Sequence, residues 1–98
     1  MIATLVIFDL GDNFDAEKVR HNALMARGKF ENMLGLRSKA FAIDAEKKQA
    51  KNFYIWEEEA AARNFFSEEI LEGVTRFYGV RPSIEYLEVA TLVDNHIS

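Results

Sequence analysis

Lys51-Asn52-Phe53-Tyr54-Ile55-Trp56-Glu57-Glu58 is the stretch on which the reading of the fold turns. Its four central residues, Phe53 to Trp56, are aromatic or β-branched, the types that strands favour. Side chains alternate faces along a strand, so Phe53 and Ile55 point one way and Tyr54 and Trp56 the other. Both faces therefore need cover. A 98-residue chain can lay its own helices over one sheet face, and the second face then calls for another subunit.

On either side of this strand the chain supplies a plan. Ile2–Phe8 is a short apolar run rich in β-branched residues, followed by the turn residues Gly11-Asp12-Asn13, and reads as a buried strand. Asp12, Asn13 or Asp15 can cap a helix over about 15–33, with Ala16, Val19, Ala23, Ala26, Phe30 and Met33 on its inner face and Gly35 closing it. Leu24 and Met25 fall off that stripe. So does His21, for which a solvated helix position is the simpler reading and a general base the other. Leu36–Ile43 is a second strand, and the polar loop of residues 44–50 is short enough to make it an antiparallel hairpin with 51–58. Two helical pieces follow, 58–66 and 67–78. The second is capped by Ser67, faces inward through Ile70, Leu71, Val74 and Phe77 or Tyr78, and ends at Gly79. A last strand over 83–93 is apolar on both parities past its start.

The resulting order β-α-β-β-α-β is the ferredoxin-like split plan of class α+β, an antiparallel four-stranded sheet with helices on one face, in one domain over 1–98. A free monomer of this plan shows polar residues on its open face, and here the first, third and fourth strands do not. Burying one side chain such as Phe53 is worth about 1.5–3 kcal/mol. A homodimer, sheet against sheet, is the expected solution.

Composition narrows the function. A net charge of −4 argues against a non-specific nucleic-acid or anionic-membrane surface. The absence of cysteine removes disulfides and thiolate chemistry, and fits a cytoplasmic location. The apolar run 2–8 has no basic flank and is far shorter than the roughly 20 residues of a spanning helix. No G-x-G-x-x-G or Walker loop is present, His21 and His96 have no metal-ligand spacing, and no serine sits in an elbow motif. An RNA-recognition module shares the fold plan. Its base-stacking positions would hold Val6, Phe53 and Ile55, one aromatic in three, with no basic surround, so that reading is set aside.

Several segments carry a resemblance: Gly35-Leu36-Arg37-Ser38-Lys39-Ala40-Phe41, Asn52-Phe53-Tyr54-Ile55-Trp56 leading into Glu59-Ala60-Ala61-Ala62, Tyr78-Gly79-Val80-Arg81-Pro82 and Val93-Asp94-Asn95. In this order, over nearly the whole chain, they resemble the small mono-oxygenases of the YdhR-like group. That group belongs to the antibiotic-biosynthesis mono-oxygenase superfamily of dimeric α+β barrels. The resemblance implies a homodimer, a pocket in each subunit between sheet and helices, and oxidation of an aromatic or quinol-type small molecule without metal, haem or flavin. It places Lys39 at the lysine position of the group, as a base or an oxyanion holder, with Tyr54 offering a hydroxyl. A lysine at a barrel rim is the plainer reading of Lys39. Trp56, Phe41 and Phe65 complete the expected substrate-contacting set, although core packing also accounts for Trp56 and Tyr54. Haem-degrading relatives use an Asn on the first strand, a Trp, and a His on the second helix. Neither that Asn nor that His occurs in this chain, so haem degradation is not implied. Quinone-oxidising relatives use an Asn and a Trp, for which Trp56 and either Asn52 or Asn64 are the candidates. Two alternatives remain at this stage: an isomerase or lyase of aromatic catabolism with Lys39 or His21 as base, and a non-catalytic ligand-binding dimer.

Overall fold

The computed structural model describes residues 1–95; His96, one of the two histidines weighed above, lies outside the described residues. Four strands and three α-helices follow one another as β1 (Ile2–Asp9), α1 (Ala16–Phe30), β2 (Leu36–Asp44), β3 (Gln49–Trp56), α2 (Glu59–Phe65), α3 (Glu68–Tyr78) and β4 (Ser83–Glu88). A short 3₁₀ turn, Gly11–Asn13, links β1 to α1. The sheet order is β2-β3-β1-β4, antiparallel throughout, so the chain has the ferredoxin-like α+β fold expected of it.

Parity along β3 divides the molecule as its residue types require. Ala50, Asn52, Tyr54 and Trp56 are buried beneath the helices, together with Thr4, Val6 and Phe8 of β1. Phe53 and Ile55 point to the open side, where the pairing of β3 with β1 sets them against Leu5 and Ala3. Val6, assigned above to a base-stacking position on the open face, instead lies 3% exposed in the core: the register pairs it with Asn52, a residue of the helix side.

The fourth strand is shorter than its apolar sequence suggests. Its ladder with β1 ends at Ile2 opposite Glu88. Val89 makes one last bond, its N–H to the Met1 carbonyl at 3.3 Å, and residues 90–93 leave the sheet. On the open side β4 therefore contributes Ser83, Glu85 and Leu87. The apolar character of that face is concentrated on β1 and β3, with Leu87 at its edge.

Local rules place the helices. Asp15 accepts a hydrogen bond from the Lys18 N–H (3.2 Å), which fixes it, rather than Asp12 or Asn13, as the cap of α1. Ser67 caps α3 in the same way through the Ile70 N–H (3.3 Å), and Gly79, at φ 81°, closes it. At the end of α3 it is Tyr78 that faces inward, stacked on Phe8 at 3.9 Å between centroids, while Phe77 is exposed. The first helix stops at Phe30, short of Met33, because Glu31 is extended and Asn32 adopts φ 61°. Gly35 then has φ 85°, and a Cβ there would lie 2.8 Å from the Ala61 Cβ, so the loop meets α2 at a position where a side chain does not fit. Among the described residues no helix is long and apolar enough to cross a membrane.

The inner stripe of α1 is half-buried and no residue of it is fully sealed. Ala26 and Phe30 border one cavity beneath it, and Val19 and Ala23 border a second.

Candidate functional site

Lys39 and Phe41 share a parity on β2, and the hairpin register sets Lys39 opposite Tyr54 and Phe41 opposite Asn52. The C-terminal turn of α1 then brings Phe30 over the same spot. The Lys39 Nζ donates to the Tyr54 Oη at 2.9 Å and lies 3.4, 4.0 and 4.3 Å from the ring centroids of Phe30, Phe41 and Tyr54. Among the described residues no carboxylate forms an ion pair with it.

Such a setting changes the proton affinity of the amine. Burial strips water from the ammonium, and the positive charge of Lys29 adds to the cost, so the Lys39 pKa falls from 10.5 to about 7. Ring faces attract a cation and pull the other way, by about 0.5–2 kcal/mol per contact. Burial and Lys29 prevail, leaving an amine poised near neutrality. Tyr54 is affected in the opposite sense. Burial first, and the neighbouring Tyr78 second, push its hydroxyl well above the usual phenol range, so it stays protonated and keeps a proton to donate.

These groups form part of the wall of a cavity of about 510 Å³ between the sheet and helices α1 and α3. That volume lies within the roughly 300–1,000 Å³ of small-ligand sites. Phe30, Phe41, Phe65 and Phe66 give it an aromatic lining, and Val6 and Phe8 provide apolar floor. Asn52, 6% exposed, reaches it as well and is hydrogen-bonded to Tyr78, whose hydroxyl is raised by burial and lowered in part by that bond. Lys29, Glu69 and Arg76 are the charged residues at its rim. Chemically the site offers an apolar, aromatic-lined slot, one amine able to take up a proton, and a phenol able to give one.

Four of the residues singled out from the sequence meet here: Lys39, Tyr54, Phe41 and Phe65. Trp56 does not join them. It is 1% exposed, its Nε1 donates to the Thr4 Oγ1 at 3.0 Å, and its ring stacks on Tyr54 at 5.4 Å. It supports the wall from behind, packed between Thr4 and Tyr54. His21 is exposed on α1 and is not among the residues lining this cavity. Of the two asparagines, Asn52 reaches the cavity, whereas Asn64 is exposed on α2. Phe30, Phe66 and Tyr78 were not singled out as site residues. Phe30 was legible only as a core position, and the signal that would have promoted it is the antiparallel register placing Lys39 beside Tyr54, beneath the end of α1. Among the described residues no group of three His, Cys, Asp or Glu is placed to hold a metal ion.

No protein-family model and no curated protein matches this sequence. In three dimensions the chain is similar to a "putative antibiotic biosynthesis monooxygenase" from Deinococcus radiodurans, with a TM-score of 0.63 at 10% sequence identity, over 98% of this chain and 99% of that one. At that identity the likeness is one of fold, along the whole length of both chains.

Proposed function

We propose that this chain, built on the fold of that mono-oxygenase-named protein, oxygenates an electron-rich aromatic molecule in the cavity, with Lys39 as proton acceptor and no cofactor. The observation that carries the reading is the Lys39 amine, without a carboxylate partner among the described residues, held 2.9 Å from a phenol inside an aromatic-lined slot.

A phenol or hydroquinone with a fused apolar ring fits the chemistry. Lys39 takes the hydroxyl proton, and the resulting ammonium and the Tyr54 O–H hold the oxyanion. The oxyanion is then electron-rich enough to pass one electron to dioxygen. Superoxide and the substrate radical combine at a ring carbon ortho or para to the oxyanion, forming a C–O bond. The O–O bond and the ring C–H bond of that carbon break, water leaves, and a quinone carbonyl remains. One substrate and one dioxygen give one quinone and one water.

The test is oxygen uptake with a panel of naphthols and hydroquinones. Uptake that falls about 10²-fold or more in Lys39→Met supports the reading, as expected for loss of a positioned base. Uptake indifferent to Lys39→Met overturns it. Tight binding of an aromatic ligand with no uptake across the panel would make this a ligand-binding protein instead.

The same reading includes a second copy of the chain across the open sheet face. Leu5, Ile7, Phe53, Ile55 and Leu87 lie together there, with Phe53 38% and Leu87 43% exposed. A face of this kind attracts a partner of matching apolar character.

A further inference from the structure

We infer that Lys39 is also a carbonyl-trapping nucleophile, forming an imine with aldehydes or ketones that carry an aromatic or other apolar body, with Tyr54 as the acid that assists loss of water. Two devices make a lysine nucleophilic, desolvation in an apolar pocket and a second cation close by. Lys39 has both: the rings of Phe30, Phe41 and Tyr54 around its Nζ, and Lys29 on the same cavity. It also lacks, among the described residues, a carboxylate partner that would hold it as an ammonium.

The step closes without any other reagent. The Nζ lone pair forms the N–C bond while the carbonyl π pair moves to oxygen. Tyr54, 2.9 Å from Nζ, relays protons from nitrogen to that oxygen, which departs as water carrying both hydrogens that Nζ gives up. The C=N bond remains, and Tyr54 ends as it began. Burial favours this role, since it keeps the Tyr54 hydroxyl protonated. The apolar walls admit the ring of the carbonyl compound and limit the water that would hydrolyse the imine. Around Nζ the other titratable or charged groups of the cavity are Lys29 from α1 and Glu69, Arg76 and Tyr78 from α3. On the far side of Lys39, Arg27, Glu31 and Arg37 line a neighbouring cleft, and the two arginines lie near carboxylates, Arg27 at 3.9 Å from Glu31 and Arg37 at 3.8 Å from Glu57.

The experiment uses the whole chain with 1-naphthaldehyde and sodium cyanoborohydride at pH 7, followed by peptide mapping. An ordinary lysine is neutral at about one part in 3,000 at that pH, whereas an amine titrating near 7 is about half neutral. Part of that gain is offset by lower intrinsic nucleophilicity, so Lys39 is expected to label about 10-fold faster than the exposed Lys47 and Lys48. Tyr54→Phe is expected to slow labelling of Lys39 while leaving Lys47 and Lys48 unchanged. Labelling of Lys39 no faster than that of the two exposed lysines overturns the inference, and this comparison is internal to the wild-type chain. Equal labelling of Lys39 with and without the Tyr54 hydroxyl overturns the part assigned to Tyr54.

Discussion

Replacing Lys39 by Met removes the titrating amine and keeps most of the volume and apolar stem in the cavity. The effect on stability is set by the difference in proton affinity between the folded and unfolded chain. The unfolded lysine titrates near 10.5 and the folded one near 7. Between those values the unfolded chain binds a proton that the folded chain does not, so stability rises with pH across that window. Below about 7 the buried ammonium imposes its full cost, and as pH climbs toward 10.5 that cost is relieved. At about 1.4 kcal/mol per tenfold change in affinity the ceiling is about 5 kcal/mol. Because Lys39 is only half-buried, solvent screening reduces the measurable part to about 2–3 kcal/mol. The assay is urea unfolding of wild type and Lys39→Met at pH 6, 8 and 10, at one fixed protein concentration. Wild type should gain about 2–3 kcal/mol on the variant between pH 6 and pH 10. Parallel stability curves for the two proteins would refute the argument, because they would show that Lys39 titrates alike in both states.

Other perturbations separate packing from chemistry. Trp56→Phe should cost about 2–3 kcal/mol in urea unfolding, by opening a void and leaving the fully buried Thr4 hydroxyl without its donor. Aromatic ligand affinity, read by calorimetry, should change less than about twofold, since the indole stands behind the cavity wall. Phe53→Glu should convert a particle of twice the 11.2 kDa chain mass into a monomer in light scattering, and a wild type already monomeric at micromolar concentration would rule out the paired sheets. Gly35→Ala should lose more than about 1 kcal/mol in the same unfolding assay, given its φ of 85° and the contact with Ala61. A neutral result there would show that the loop shifts freely away from α2.

Much of the architecture was legible because it rests on local, periodic signals. The alternation of Phe53 and Ile55 against Tyr54 and Trp56 separated the two faces of the sheet, and Ser67 and Gly79 bracketed the last helix. The misjudged boundaries were set by partners, which a local pattern does not contain. Residues 89–93 look like strand, yet the ladder with β1 ends at the Ile2–Glu88 pair. Val6 looked like an open-face residue until the register with Asn52 turned it inward. The site divides along the same line. Lys39 and Tyr54 were named because their side chains carry chemistry, and they lie opposite each other on the hairpin. Phe30 and Tyr78 come from helices packed over that hairpin, and their part in the cavity depends on a helix end and a helix position that no spacing rule specifies. Trp56 shows the converse. A large aromatic on the correct parity drew attention, while its indole N–H was committed to Thr4, 52 residues away along the chain.

Base and nucleophile both depend on the protonation of one amine, and nitrogen-15 detected NMR of the lysine side chains across a pH titration reads it directly. The Lys39 Nζ resonance should titrate with a midpoint near 7, well below the ordinary lysine value. A midpoint at about 10, the ordinary lysine value, would show that the faces of Phe30, Phe41 and Tyr54 hold the ammonium more strongly than burial expels it. Lys39 would then be a fixed cation, and neither the base nor the nucleophile argued for here.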